Sequence, residues 1–312
     1  MKSLFFRAFV LLQFLLIWAC GNNNVKKPIV TVTILPQQYF AQQIAGEYFD
    51  IHTMVPKGSS PESFDPSPSS LVQLNKSKAY FRIGGLGFEL AWMNKLIQNN
   101  PHMMVFDTSK GISFLEDSHE DCADWGENQE ECAEGHNHNH EGASDPHIWN
   151  STKNAEVIAA NMRDAFIQLD PKHRKEFETN YQNLIAQIRQ TEDSLTDILK
   201  DLKGSSFLIY HPALTYWAHD YGLNQYSIEN QGKEPSAAYI KALMDTVRGK
   251  NVRVIFIQQE FDSKNAQTIA KELNIPVRQI NPLNYDWNQE LIDMANALKT
   301  SQNAEPQNAT HE

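Results

Sequence analysis

The sequence predicts an α/β protein of two lobes, each a roughly four-stranded parallel sheet flanked by helices, joined by a long rigid helix. Three observations predict it. From Pro28 onward, short β-branched runs alternate with helical patterns, as expected for parallel sheets covered on both faces. The alternation occurs twice, in two halves of similar make-up. Between the halves, residues 151–202 carry no strand signal at all.

In the first half, IVTVTI at 29–34 reads as a strand, followed by a helix near 37–46 and a strand at 51–55. A further strand is expected at 80–84, a helix at 88–98 and a strand at 103–107. In the middle, Ser151 can cap a helix that runs to Leu169, and Asp170-Pro171 breaks it. Pro171 suits the first turn of the next helix, where its missing N–H costs nothing. Residues 173–202 contain no Gly or Pro, and Phe177, Tyr181, Leu184, Ile185, Ile188, Leu195, Ile198 and Leu199 recur at helical spacing. A helix of that length spans roughly 45 Å at a rise of about 1.5 Å per residue, which makes a stiff connection. The second half reads as strand 206–211 (SFLIYH), helix 213–221, strand 225–229 and helix 236–249. Strand 252–258 (VRVIFIQ), helix 263–273, strand 277–280 and helix 289–299 complete it.

The N-terminus speaks to location. Lys2 and Arg7 precede AFVLLQFLLIW at 8–18, a run too short to span a bilayer but suited to the apolar core of a secretory signal. It ends in Ile17-Trp18-Ala19-Cys20, which resembles the lipobox of bacterial lipoproteins, although Trp18 is bulkier than usual. That resemblance implies cleavage before Cys20 and a lipid on its thiol, hence a membrane-anchored protein of the cell envelope facing the periplasm or exterior. The expected layout is a signal peptide at 1–19, an anchored tether at 20–27 and an N-terminal lobe at 28–171. A linking helix at 172–202, a C-terminal lobe at 203–301 and a disordered tail at 302–312 follow. The chain of 312 residues is long enough for two domains, each with its own core. Its formal charge of −11 becomes −13 once Lys2 and Arg7 are removed. So acidic a protein is a poor nucleic-acid binder and a plausible attractor of cations.

Residues 116–144 (EDSHEDCADWGENQEECAEGHNHNHEGAS) do not fit either lobe. They are acidic, poor in aliphatics and rich in His, so they cannot bury enough apolar surface to pack and read as a mobile loop. His136, His138 and His140 alternate, with His119 upstream. Imidazole suits zinc, copper or nickel, but ordering such a loop costs entropy, so its contacts with metal are expected to be weak and exchangeable. Cys122 and Cys132 lie in the same loop. They can add thiolates or, in an exported protein, form a disulfide.

Ligands of open α/β sheets bind beyond the carboxyl ends of strands. Polar residues there are His211 after SFLIY, Glu260 after VIFIQQ, Asn281 after VRQI, and Glu62 and Asp65 in the turn 56–68. His147 lies in Asp145-Pro146-His147-Ile148-Trp149, where Pro146 fixes the backbone and Trp149 supplies an apolar anchor. There is no H-E-x-x-H and no G-x-S-x-G, which weighs against a zinc hydrolase. An iron chelate or corrinoid would need a wide aromatic or basic cleft, whereas these residues converge on imidazole and carboxylate.

Several ordered motifs carry a family resemblance. They are Gly58-Ser59-Ser60-Pro61-Glu62-Ser63-Phe64-Asp65, Gly85-Leu86-Gly87-Phe88-Glu89 and Asp145-Pro146-His147-Ile148-Trp149. Tyr210-His211-Pro212-Ala213, Tyr221-Gly222-Leu223, Glu234-Pro235-Ser236 and Asn281-Pro282-Leu283 follow. From about residue 29 to 298 the chain resembles the metal-binding lipoproteins and periplasmic proteins of high-affinity zinc and manganese ABC transporters. A His-rich acidic loop before D-P-H-x-W is common in the zinc-type members. The resemblance implies capture of a divalent ion, zinc foremost with manganese or iron as alternatives, between the lobes, and delivery to a membrane permease. It also implies His147 and His211 as ligands. The family's usual first ligand, a His, is Glu62 here, and its usual fourth, an acid, is Asn281. Neutral Asn is a weak zinc ligand, which leaves Glu260 or water to complete the shell. A set of Glu62, His147, His211 and Glu260 would mix nitrogen and oxygen donors, a chemistry open to zinc, manganese and iron.

Overall fold

The computed structural model describes residues 26–115, 144–230, 232–261 and 264–301. Two four-stranded parallel sheets are present, as expected. The first holds β1 (Ile29–Val32), β2 (Asp50–Thr53), β3 (Ser77–Arg82) and β4 (Met104–Asp107) in the order β2-β1-β3-β4. The second holds β5 (Ser206–Ile209), β6 (Asn224–Ser227), β7 (Val252–Gln258) and β8 (Val277–Ile280) in the order β6-β5-β7-β8. The two orders are the same, and every pairing within them is parallel. In each sheet the direction of winding reverses between the first and third strands. Those two switch points open crevices at the carboxyl ends of β1 and β3 and of β5 and β7.

Helices α1 (Leu35–Ala45), α2 (Pro68–Leu74) and α3 (Gly87–Asn99) belong to the first lobe. The short α2 lies just beyond the expected 56–68 turn. Its start signal is present in the sequence: Ser67 accepts from the Ser70 N–H, and Pro68 opens the first turn. α4 (Thr152–Leu169) is capped by Ser151, whose hydroxyl accepts from the Asn154 N–H. Asp170 and Pro171 end it, and a 3₁₀ turn, Pro171–His173, leads into α5 (Arg174–Leu199). The uninterrupted α-helix is 26 residues rather than thirty, roughly 39 Å long, with another 3₁₀ turn, Lys200–Leu202, at its end. In the second lobe are α6 (Thr215–Tyr221), α7 (Ala237–Val247), α8 (Lys264–Leu273) and α9 (Trp287–Thr300).

Each lobe has a core cluster of its own, and a third, larger cluster is shared between them. α5 joins the two lobes and packs along α1, α4 and α9, so both lobes cover it. A single large cluster therefore runs from Val30, Val32 and Phe81 through Phe166, Phe177 and Ile188 to Phe207, Phe256 and Met294. Strand periodicity explains the rest. Leu208 and Ile255, one residue out of phase with Phe207 and Phe256, face a separate outer cluster, and Tyr80 faces another on the first lobe. The shared middle core fixes how the two sheet edges face each other.

No helix among the described residues is long and apolar enough to cross a membrane. The signal segment, Cys20 with most of its tether, the tail at 302–312, and the loop residues His119, Cys122, Cys132, His136, His138 and His140 lie outside the described residues.

Candidate metal site between the lobes

Three of the expected residues come together where the two switch points face each other. One ligand atom each from Glu62, His147 and His211 lie within 4.8 Å of one another. Each is brought there by local chain chemistry. Asp145 ties its N–H to the Leu115 carbonyl, and Pro146 then turns the chain into a 3₁₀ turn, Ile148–Asn150, with His147 at its head. His211 follows β5 and is clamped by the last residue of β7. The Gln258 amide donates to the His211 carbonyl at 2.6 Å and accepts from its N–H at 3.3 Å. Phe261 stacks on the His211 ring at 5.5 Å. Glu62 lies in the loop after β2, where its Oε2 accepts from the Gly87 N–H at 3.0 Å.

The hydrogen bonds behind the imidazoles decide their state. His147 Nδ1 is 2.8 Å from Asp145 Oδ1, which also accepts from the His147 N–H. Burial pushes the Asp145 carboxyl up, but the facing His147 ring and these hydrogen bonds outweigh it and hold the group below the usual carboxylate range. An ionised carboxylate only accepts, so the proton sits on His147 Nδ1. His211 Nδ1 is likewise 2.8 Å from Glu229 Oε1. Both Nε2 atoms are thus turned toward each other, 3.1 Å apart. Two imidazole lone pairs at that distance repel unless a cation, a proton or a metal ion, lies between them. Tetrahedral zinc with Zn–N bonds of about 2.0–2.1 Å places two ligand nitrogens roughly 3.4 Å apart, so the pair is spaced within a few tenths of an ångström of that need. Glu62 Oε1 is 3.9 Å from His147 Nε2, shielded from solvent and without a hydrogen-bond partner among the described residues.

The cavity they line is about 30 Å³, walled by Pro61, Trp149, Phe261, Pro282 and Leu283. That is room for an ion or a water. Glu260 lines the same cavity, but its carboxylate stands outside the three-residue group and accepts from Gln259 at 3.4 Å. Asn281 does not join them. Its Oδ1 accepts from the Leu283 N–H and its own N–H donates to Glu290, so its side chain closes a turn and lines a neighbouring crevice. Asp65 accepts from the Trp92 indole instead.

The chain from residue 30 to 300 matches the model of the family described as zinc-uptake complex component A, periplasmic. It belongs to that family. The zinc-binding protein AdcA of Streptococcus pyogenes is 28% identical over 261 residues, 81% of this chain and 50% of that protein. The chain thus spans about half the length of the streptococcal relatives it matches. The high-affinity zinc uptake system protein ZnuA of Bacillus subtilis is 27% identical over 282 residues, 86% of this chain and 85% of that protein. Among solved structures, a zinc-bound deletion mutant of ZnuA superposes with a TM-score of 0.78 at 31% identity, covering 90% of this chain and 100% of that one.

Sequence reasoning missed the residues behind the ligands. Glu229 was expected inside a strand, but β6 ends at Ser227, which leaves Glu229 beyond the carboxyl end beside His211. The strand-end rule that found His211 would have found it had the strand been closed two residues earlier. Asp145 was visible in the D-P-H motif without a role. Gln258 had no signal, because a buried Gln at a strand end is indistinguishable by type from any other polar terminus.

Proposed function

We propose that this protein captures a divalent cation, zinc foremost, between its lobes and delivers it to an ABC-type permease in the membrane. The observation that carries this reading is the pair of Nε2 atoms held 3.1 Å apart, each backed by a buried carboxylate, beside a shielded carboxylate oxygen. Glu62, His147 and His211 are the ligands, with Glu260 or a water completing the shell. The role is capture and hand-over, with no bond chemistry. Family membership and the zinc-binding relatives support zinc. The oxygen ligand leaves manganese and iron as the competing cargo. The His-rich segment (His119, His136, His138, His140) contributes weak, exchangeable contacts with metal.

Metal analysis of protein purified without added ion, followed by competition among zinc, manganese and iron, tests this. Zinc is expected to be retained and to displace the others. Preference for manganese would reverse the assignment of cargo. Affinity is expected to fall in acid, because each imidazole must be free of its Nε2 proton to bind. Calorimetry in buffers of different ionisation enthalpy should register proton release on binding at mildly acid pH.

The family is periplasmic, and we propose that the anchor is lipid on Cys20, exposed by removal of residues 1–19. Cys20→Ser is expected to move the protein from the membrane fraction to the soluble extract. Unchanged partitioning into detergent would argue for a retained apolar anchor instead.

A further inference from the structure

We infer that Gly87 is a positioning residue that grips Glu62 as a one-oxygen ligand, and that this grip biases the site toward four-coordinate ions such as zinc. The inference rests on Glu62 being a ligand, as proposed above. A Cβ built on Gly87 would lie 2.3 Å from the Glu62 carbonyl oxygen and 3.0 Å from its carbonyl carbon and Cα. All three are backbone atoms, so no side chain can swing aside. Here glycine is needed for close approach, since this loop is laid directly across the first turn of α3. Two N–H groups at that helix start, which lack intrahelical partners, are used to hold it. Gly87 donates to Glu62 Oε2 at 3.0 Å, and Phe88 donates to the Pro61 carbonyl at 2.9 Å.

The helix start is itself fixed. Glu89, two residues on and buried, accepts from the Ile83 N–H at 2.8 Å and the Gly84 N–H at 2.7 Å, and from the Thr33 hydroxyl. Gly87 is thus anchored rather than free to follow the ligand. The consequence falls on the carboxylate. Oε2 is committed to the backbone, while Oε1 is shielded, has no hydrogen-bond partner among the described residues and lies 3.9 Å from His147 Nε2. Bidentate binding would require Oε2 to abandon its N–H. Larger, harder ions draw on bidentate carboxylates and more oxygen ligands, whereas zinc is satisfied by single atoms in a tetrahedral shell. Gripping one oxygen therefore costs zinc little and penalises its competitors.

Two replacements of Glu62 test the grip without disturbing the fold. In Glu62→Gln only the amide oxygen can face the Gly87 N–H, because an NH₂ there would oppose donor to donor. A gripped Gln must then turn its NH₂ toward the ion. Glu62→Gln and Glu62→Ala are expected to bind zinc equally weakly, within about threefold of each other and roughly 10²–10⁴-fold below the unaltered protein. A Gln variant that binds roughly tenfold or more above the Ala variant would mean that the group rotates freely, and the inference would be overturned. Glu62→Ala binding at full strength would also overturn it by removing Glu62 from the ligand set. The wider reading of metal capture would then rest on the two histidines alone.

Gly87→Ala adds a readout that mere structural damage would not move. The displaced loop should lose zinc affinity by roughly 10–100-fold while manganese affinity falls less, so the zinc-to-manganese ratio shrinks. An unchanged ratio in a folded variant contradicts the inference. If the variant does not fold, the Gln and Ala comparison decides the matter by itself.

Discussion

Replacing His211 by alanine is expected to lower zinc affinity by roughly 10²–10⁴-fold, and replacing His147 by a similar factor. The magnitude follows from sharing. A fully liganded zinc site is worth about 10–16 kcal/mol at neutral pH. One of three protein ligands then carries about 3–5 kcal/mol, and about 1.4 kcal/mol is a tenfold change. The loss should be steep because the two rings act as a pair. Removing one ring abolishes the 3.1 Å approach of Nε2 atoms and leaves Asp145 or Glu229 without its imidazole partner. Competition against a chromophoric chelator reads the change directly. Undiminished affinity in both variants would remove this cavity as the site. Stability of the metal-free protein should change much less, since His211 packs against Phe261 at the cavity wall and outside the shared core.

Much of the arrangement was legible because it depends on periodicity and on strand ends. Runs such as VRVIFIQ could only be buried strands, and the α/β alternation then put His211, Glu260 and Asn281 at carboxyl ends. Which strand-end residues actually converge was not legible. Asn281 and His211 satisfy the same rule, yet the Asn281 amide is drawn into a turn by Leu283 while His211 is held outward by Gln258. That choice is made by hydrogen bonds between segments distant in sequence, which carry no local pattern. The shared core was missed for a related reason. The apolar stripe of α5 announces a buried face but not what covers it, and α1, α4 and α9 all do. Gly87 stood in a recognisable motif, yet its φ is not of the kind that demands glycine. Only the nearness of the Glu62 backbone accounts for it.

The largest effect on stability is expected from Trp149→Ala. The Trp149 ring is 1% exposed and lies in the cluster common to both lobes. Its indole donates to the Pro282 carbonyl at 2.9 Å, and its own carbonyl accepts from the Trp287 indole at 2.7 Å. Trp287 in turn packs edge-on against Phe40 of α1, with ring centroids 5.0 Å apart. One ring therefore joins the turn that carries His147 to the second lobe, and its partner joins that lobe to the first. Truncation should cost about 3–5 kcal/mol for the cavity, read as a lowered denaturant midpoint. Because the core is continuous, unfolding should remain a single transition rather than splitting into two. Metal binding should fall as well, since the Trp149 ring lies 5.3 Å from the His147 ring and helps set its orientation. That double effect separates Trp149→Ala from His211→Ala, which should lose the metal and keep the fold. Trp149→Phe divides the cost further. It fills most of the space but donates nothing, so the buried Pro282 carbonyl loses its partner, at about 1–3 kcal/mol. A Phe variant as stable as the unaltered protein would mean that packing alone joins the lobes, and that the indole bond to Pro282 contributes nothing to holding the site closed.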